Sequence, residues 1–130
     1  MKLDLEKILK ELKPYRERKA VVDPERAAIL VIDLQNYFKQ IAQPVLGNIL
    51  KVIQSCRKTN VPILFTQHGH TDPPSDGGAL EKWWGELIMA GTEDWKFLPE
   101  VAIKGEDIIL PKKRYSAFFE TDLDEKLRSR

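Results

Sequence analysis

The sequence predicts an α/β domain in which a parallel sheet is flanked by helices in three layers, α/β/α. Three observations predict it. The apolar runs at 27–32, 61–65 and 108–110 show no alternation, as expected of parallel strands covered on both faces. The segments between them are helical or long, giving the order strand, helix, strand, long excursion, strand, helix. Each run also ends in polar residues, and ligands of such sheets bind beyond the carboxyl ends of the strands.

The elements follow in order. Leu3, Leu5, Ile8, Leu9 and Leu12 have helical spacing, so residues 3–13 read as a helix that Pro14 ends. Residues 15–26 are polar and read as a linker, which divides the chain into an N-terminal helix and linker, 1–22, and a main domain, 23–130. The run Ala27-Ala28-Ile29-Leu30-Val31-Ile32 is the first strand, and Asp33 follows it. Pro44 opens a helix over 44–59 with Leu46, Ile49, Leu50, Ile53 and Cys56 on one stripe, and Asn60 is its left-handed stop. "VPILFTQHGH" is the second strand, and "TDPPSDGG", residues 71–78, is a loop by composition. "LEKWWGELIMAG" is mixed, with a short helix. Ile108-Ile109-Leu110 is the third strand, and Thr121 with Asp124 resembles a capping box for a last helix that begins near 122.

The totals bound the function. At 130 residues the chain is one domain, and its +1 formal charge gives no reason to expect nucleic acid or an acidic membrane as partner. No run of about 18 apolar residues is present, so no transmembrane helix is expected. The charged N-terminus lacks the apolar stretch of a signal peptide, so a cytoplasmic location is the expectation. The single cysteine, Cys56, rules out an internal disulfide, and its place on the helix stripe reads as a buried structural thiol.

The strand ends carry the candidates. Asp33 is either a helix N-cap or a carboxylate that takes a proton from a nucleophile. Lys112 is either a solvated lysine beside Lys113 and Arg114 or a cation that stabilises negative charge. His68 and His70 are two residues apart in a strand and share a side. That spacing suits metal binding, but a zinc site usually has at least three protein ligands, and Asp72 could add one. The expectation is therefore two pocket or loop histidines and no cofactor, with zinc as the alternative. Adjacent Trp83 and Trp84 cannot both face one core, so one closes a pocket or meets a partner chain.

"AAILVIDLQNYF", "VPILFTQHGH", "GALEKWWGELIMAGTEDWKFLPEV" and "DIILPKKRYSAFFETDLDEKLR" together resemble the isochorismatase-like cysteine hydrolases, and most closely the branch with plant-type nicotinamidases. The likeness covers residues 24–130. It implies hydrolysis of a C–N bond, or less readily a vinyl ether, through an Asp-Lys-Cys triad, and a small-molecule substrate in a homo-oligomer. It carries the triad aspartate onto Asp33 and the triad lysine onto Lys112, with Lys113 as fallback. It implies a substrate wall of His68, His70, Phe38, Trp84 and Tyr115. Family zinc sites use an Asp-x-His, matched here by His68 and His70, and a later histidine; this chain has only 2 histidines. The family nucleophile follows the lysine segment at a distance, whereas 18 residues follow Lys112 and none is cysteine. The expectation is a domain cut short before its nucleophile. The alternative is an inactive short form that binds ligand or oligomerises.

Overall fold

Three parallel strands set the position of everything at the site. The computed structural model describes residues 4–16 and 21–129. Strands β1 (Ile29–Val31), β2 (Ile63–His68) and β3 (Ile108–Lys112) form one sheet in the order β1-β2-β3, with all pairs parallel. Helix α1 is Leu5–Arg16, α2 is Lys39–Lys58, α3 is Pro73–Asp76, α4 is Gly78–Trp84 and α5 is Leu123–Arg128.

The sheet is covered on both faces. Alternate β2 side chains point to opposite sides. Ile63 and Phe65 pack with Val31 and Leu34 against Ala42, Leu46 and Ile53 of α2, joined by Leu98 and Val101 from the long excursion. Leu64 and Leu110 pack on the other side against Leu123 of α5. The layers are therefore helix, sheet, helix, as the apolar runs predict.

Several elements differ from the sequence reading. Pro14 lies inside α1 instead of ending it, because a proline in the last turn removes only one hydrogen bond from a nearly finished helix. Leu3 and residues 17–20, which belong to the expected helix and linker, lie outside the described residues. Helix α2 starts five residues before Pro44, at Lys39. A proline there leaves the carbonyl of Gln40 without its helical donor, and Gln40 is exposed to water that can replace it. Within 71–78, the prolines of "DPPSD" occupy the first turn of the short α3, where a proline N–H is not needed. Thr121 accepts from the Leu123 N–H, but Asp124 turns to Arg128 and does not complete the capping box. Asn60 is left-handed, with φ 56°, as expected.

The first strand is shorter than its apolar run and is not covered throughout. It lies at the edge of the sheet, and Ile32 is 63% exposed. Ile29 to Ile32, Leu34, Asn48, Ile49 and Val52 line an apolar groove of about 400 Å³ beside it. Pro111 fits in β3 because that strand is the opposite edge.

Phe65 is fully buried and meets Phe97 edge-on at 5.8 Å between centroids. Phe65→Ala should cost about 3–5 kcal/mol in urea unfolding. Trp83→Ala, at a 74% exposed position, should stay within about 0.5 kcal/mol of the parent.

Candidate active site

The β1 strand ends in a backbone turn that few residues tolerate. Asp33 has φ 49°, in the left-handed region where aspartate and asparagine are among the few non-glycine residues found. Its backbone N–H donates to Thr66 Oγ1 at 3.0 Å, and the Thr66 hydroxyl donates to Asp33 Oδ1 at 2.6 Å. Thr66 is completely buried on β2, so its hydroxyl is committed to Asp33 in both directions. The other carboxylate oxygen, Oδ2, lies 2.7 Å from Lys112 Nζ.

Lys112 reaches that position because β3 continues two residues past its apolar run and pairs His68 with Lys112. Its side chain is 3% exposed, and its ammonium also donates to the Arg114 carbonyl at 3.1 Å. A buried lysine with one carboxylate and one carbonyl is a paired charge, not a solvated surface lysine. The N-cap alternative for Asp33 does not describe its carboxylate, which is held by Thr66 and Lys112. Lys113 points elsewhere, 3.4 Å from Asp76.

Asp33, Lys112 and His68 border one cavity of about 310 Å³. Its other walls include Tyr37, Phe38, Trp84 and Tyr115, with Ile41, Leu80, Leu87 and Ile88 between them. Trp84 Nε1–H donates to Tyr115 Oη at 2.7 Å, which ties α4 to the segment after β3. Trp84 borders the cavity and Trp83 does not, although both rings are largely exposed.

His70 is placed differently from the expected substrate wall. It is fully buried behind His68, with Nδ1 3.1 Å from Asp76 Oδ1 and Nε2 3.3 Å from His68 Nε2. Both rings share a side, as their spacing predicts. They contact each other, and among the described residues no group of three His, Cys, Asp or Glu side chains could hold a metal ion. The described residues alone do not supply the three ligands of a zinc site.

Burial holds the His68 ring down to a pKa of about 4, helped by the nearby Lys112 charge and opposed by Asp33. Asp76 is held well below the usual carboxylate range. Burial alone would raise it, but the N–H groups of Thr71 and Asp72, His70 and Lys113 outweigh that effect.

Sequence reasoning missed three supporting residues. Gln35 is fully buried; its Nε2 donates to the carbonyls of His68 and Trp95, and its Oε1 accepts from the His68 N–H. It clasps the end of β2 to the long excursion. A polar residue two places after Asp33 was the available signal. Thr66 carried none, since its partner Asp33 is 33 residues away, and Asp76 lay in a segment that reads as a loop by composition. Gly69 is required by packing: an added Cβ would lie 2.5 Å from Trp95 Cδ1.

Cys56 lies at the other end of the molecule. It packs against the α2-side core, and its carbonyl accepts from Val61 just before β2 begins. Asp33 sits at the level where β2 finishes, about 17 Å away along a six-residue strand.

The pKa shifts set a pH dependence. Unfolded His68 takes a proton near 6.5, whereas the folded ring does so only near 4. Between those values the unfolded chain binds more protons, so stability should fall as pH drops from about 6.5 to about 4. Asp76 adds a further loss as pH falls through the carboxylate range, because its folded form resists protonation. Urea midpoints measured across this range should decline, and His68→Asn should reduce the decline between 6.5 and 4. An unchanged slope in that variant would assign the effect to other groups.

Comparison with known proteins agrees with this fold. The isochorismatase domain profile matches residues 27–130. The chain is 41% identical over 116 residues to nicotinamidase 3 of Arabidopsis thaliana, covering 87% of this chain and 58% of that protein. It is 34% identical over 122 residues to an isochorismatase of Bacillus subtilis, covering 88% and 39%. Among solved structures, N-carbamoylsarcosine amidase from Thermoplasma acidophilum aligns with TM-score 0.70 and 29% identity, over 78% of this chain and 60% of that one. A cysteine hydrolase from Pseudomonas syringae shares the fold with TM-score 0.80 at 24% identity, over 85% and 57%. The chain spans about half the length of these curated relatives. With the profile covering the whole sheet, both flanking layers and every residue of the cavity, the chain belongs to the isochorismatase family.

Proposed function

We propose that these residues form the acid–base half of a hydrolase that cleaves a small amide or related C–N bond by attack of a cysteine thiolate. The observation that carries this reading is the buried Asp33–Lys112 pair, 2.7 Å apart, at the edge of an aromatic cavity. A free thiol has a pKa of about 8.5 and is largely protonated at neutral pH. Asp33 Oδ2 takes the thiol proton, and Lys112 lowers the energy of the negative charge that results. The thiolate attacks the carbonyl carbon. When the C–N bond breaks, the proton passes from Asp33 to the leaving nitrogen, and water then clears the thioester to the acid.

Cys56 cannot be this thiol, because it lies at the opposite end of β2. The reading therefore requires a thiol from outside residues 1–130. A segment laid along the free edge of β1 would end beside Asp33. A second reading, in which these residues bind a small ligand without turning it over, rests on the aromatic cavity alone.

Ammonia release from a panel of small primary amides and N-carbamoyl compounds tests the proposal. With the thiol-bearing segment present, Asp33→Asn and Lys112→Met should each lower kcat/KM by at least about 10²-fold. Turnover that survives Asp33→Asn contradicts the mechanism. Residues 1–130 alone should release no ammonia, and release there that persists in Cys56→Ser would contradict a thiol nucleophile.

A further inference from the structure

Thr66 lies in β2 among buried apolar neighbours, with Leu64 and Phe65 before it and Leu110 opposite it on β3. A fully buried hydroxyl is costly there unless it is hydrogen-bonded. Both of its hydrogen bonds run to one residue: it accepts from the Asp33 N–H at 3.0 Å and donates to Asp33 Oδ1 at 2.6 Å. The first bond holds the oxygen in place, and the single hydroxyl proton is left for the carboxylate. Strand register shows what the turn at Asp33 contributes. Val31 pairs with Phe65, so a continued β1 would set Asp33 opposite Gln67. Instead the left-handed Asp33, at φ 49°, brings its N–H and its carboxylate back to Thr66. Oδ2 then pairs with Lys112 Nζ at 2.7 Å. Rotation about the Cβ–Cγ bond of a carboxylate is roughly two-fold and exchanges its oxygens. At Asp33 that rotation would break the Thr66 bond and the Lys112 bond together.

We propose that Thr66 is a positioning residue for the reaction: its hydroxyl fixes the plane of the Asp33 carboxylate, so that Oδ2, the oxygen paired with Lys112, is the one that takes and returns the proton. This rests on the hydrolase reading and deepens it. Thr66 is fully buried and does not line the cavity, so it acts through Asp33 and not on the ligand. A general base works only within hydrogen-bond reach of the proton it takes, and small errors of placement cost rate. A carboxylate free to turn meets that condition part of the time and holds Lys112 part of the time. Loss of the hydroxyl therefore slows the chemical step and leaves ligand binding alone. Serine keeps the hydroxyl and loses a methyl group, whereas valine keeps the branched shape and loses the hydroxyl. The positioning role ranks serine above valine at this site. A packing role ranks them the other way.

The Lys112 ammonium reports the placement of the carboxylate in residues 1–130 without any turnover. Nitrogen-15 NMR should show its protons exchanging with water at least about tenfold more slowly than those of exposed lysines. Thr66→Val should speed that exchange at least about tenfold, and Thr66→Ser should stay within about threefold of the parent, with circular dichroism confirming that both variants fold. With the thiol-bearing segment present, Thr66→Val should lower kcat at least about tenfold with KM within about twofold, and Thr66→Ser should recover most of the loss. Fast exchange in the parent, exchange in Thr66→Val within about twofold of the parent, or Thr66→Ser impaired as much as Thr66→Val would each overturn the proposal. Turnover that depends on Asp33 but is unaffected by Thr66→Val would reject this inference alone. Slow exchange lost in Thr66→Val, with turnover indifferent to Asp33→Asn, would reject the hydrolase mechanism and leave the placement of Asp33 by Thr66 standing.

Discussion

The ion pair between Asp33 and Lys112 is the constraint around which the rest of the site is arranged. Its two members come from opposite edges of the sheet and must cross β2 to meet. Three features make that possible. The parallel register brings the ends of all three strands to one rim. The left-handed turn at Asp33 redirects its side chain, and the Thr66 hydroxyl on the intervening strand fixes one oxygen so that the other faces the lysine. A buried ion pair and a positive φ are both costly, and neither is needed to close the core. Their coincidence at one residue is what the proposed acid–base role accounts for.

Behind that pair lies a second layer that shapes the cavity. Gln35 joins the end of β2 to the Trp95 segment, while Gly69 lets Trp95 lie against the backbone between the two histidines. Arg114 donates to the Asp76 carbonyl, and its own carbonyl accepts from Lys112. The acid–base pair and the histidine chain are therefore linked through one loop after β3. A change in that loop would disturb both the ion pair and the histidine chain.

Much of this was legible in the sequence, for identifiable reasons. Continuous apolar runs give parallel strands, and polar residues just past them give the rim, so Asp33, His68 and Lys112 could be named together. Helix ends were less legible. Pro14 and Pro44 are strong breakers locally, yet each sits where a helix can spare one hydrogen bond. The role of His70 was not legible either: its spacing from His68 shows a shared side but not that Asp76, in a short turn, draws it out of the cavity wall. Thr66 was hidden because a threonine within an apolar strand looks like any β-branched filler until its partner on β1 is known. The exposure of Ile32 depends on which strand lies at the edge, and no local pattern encodes strand order.

The central claim is that the Asp33–Lys112 pair is retained for chemistry and not for stability. A double-mutant cycle in urea tests it most directly. Asp33→Asn preserves the turn and the Thr66 contact but strands a buried lysine, and should cost about 3–5 kcal/mol. Adding Lys112→Met removes the stranded charge, and the double variant should return to within about 1 kcal/mol of the parent. A double variant as unstable as Asp33→Asn alone would show that the pair holds the fold together, contradicting the account.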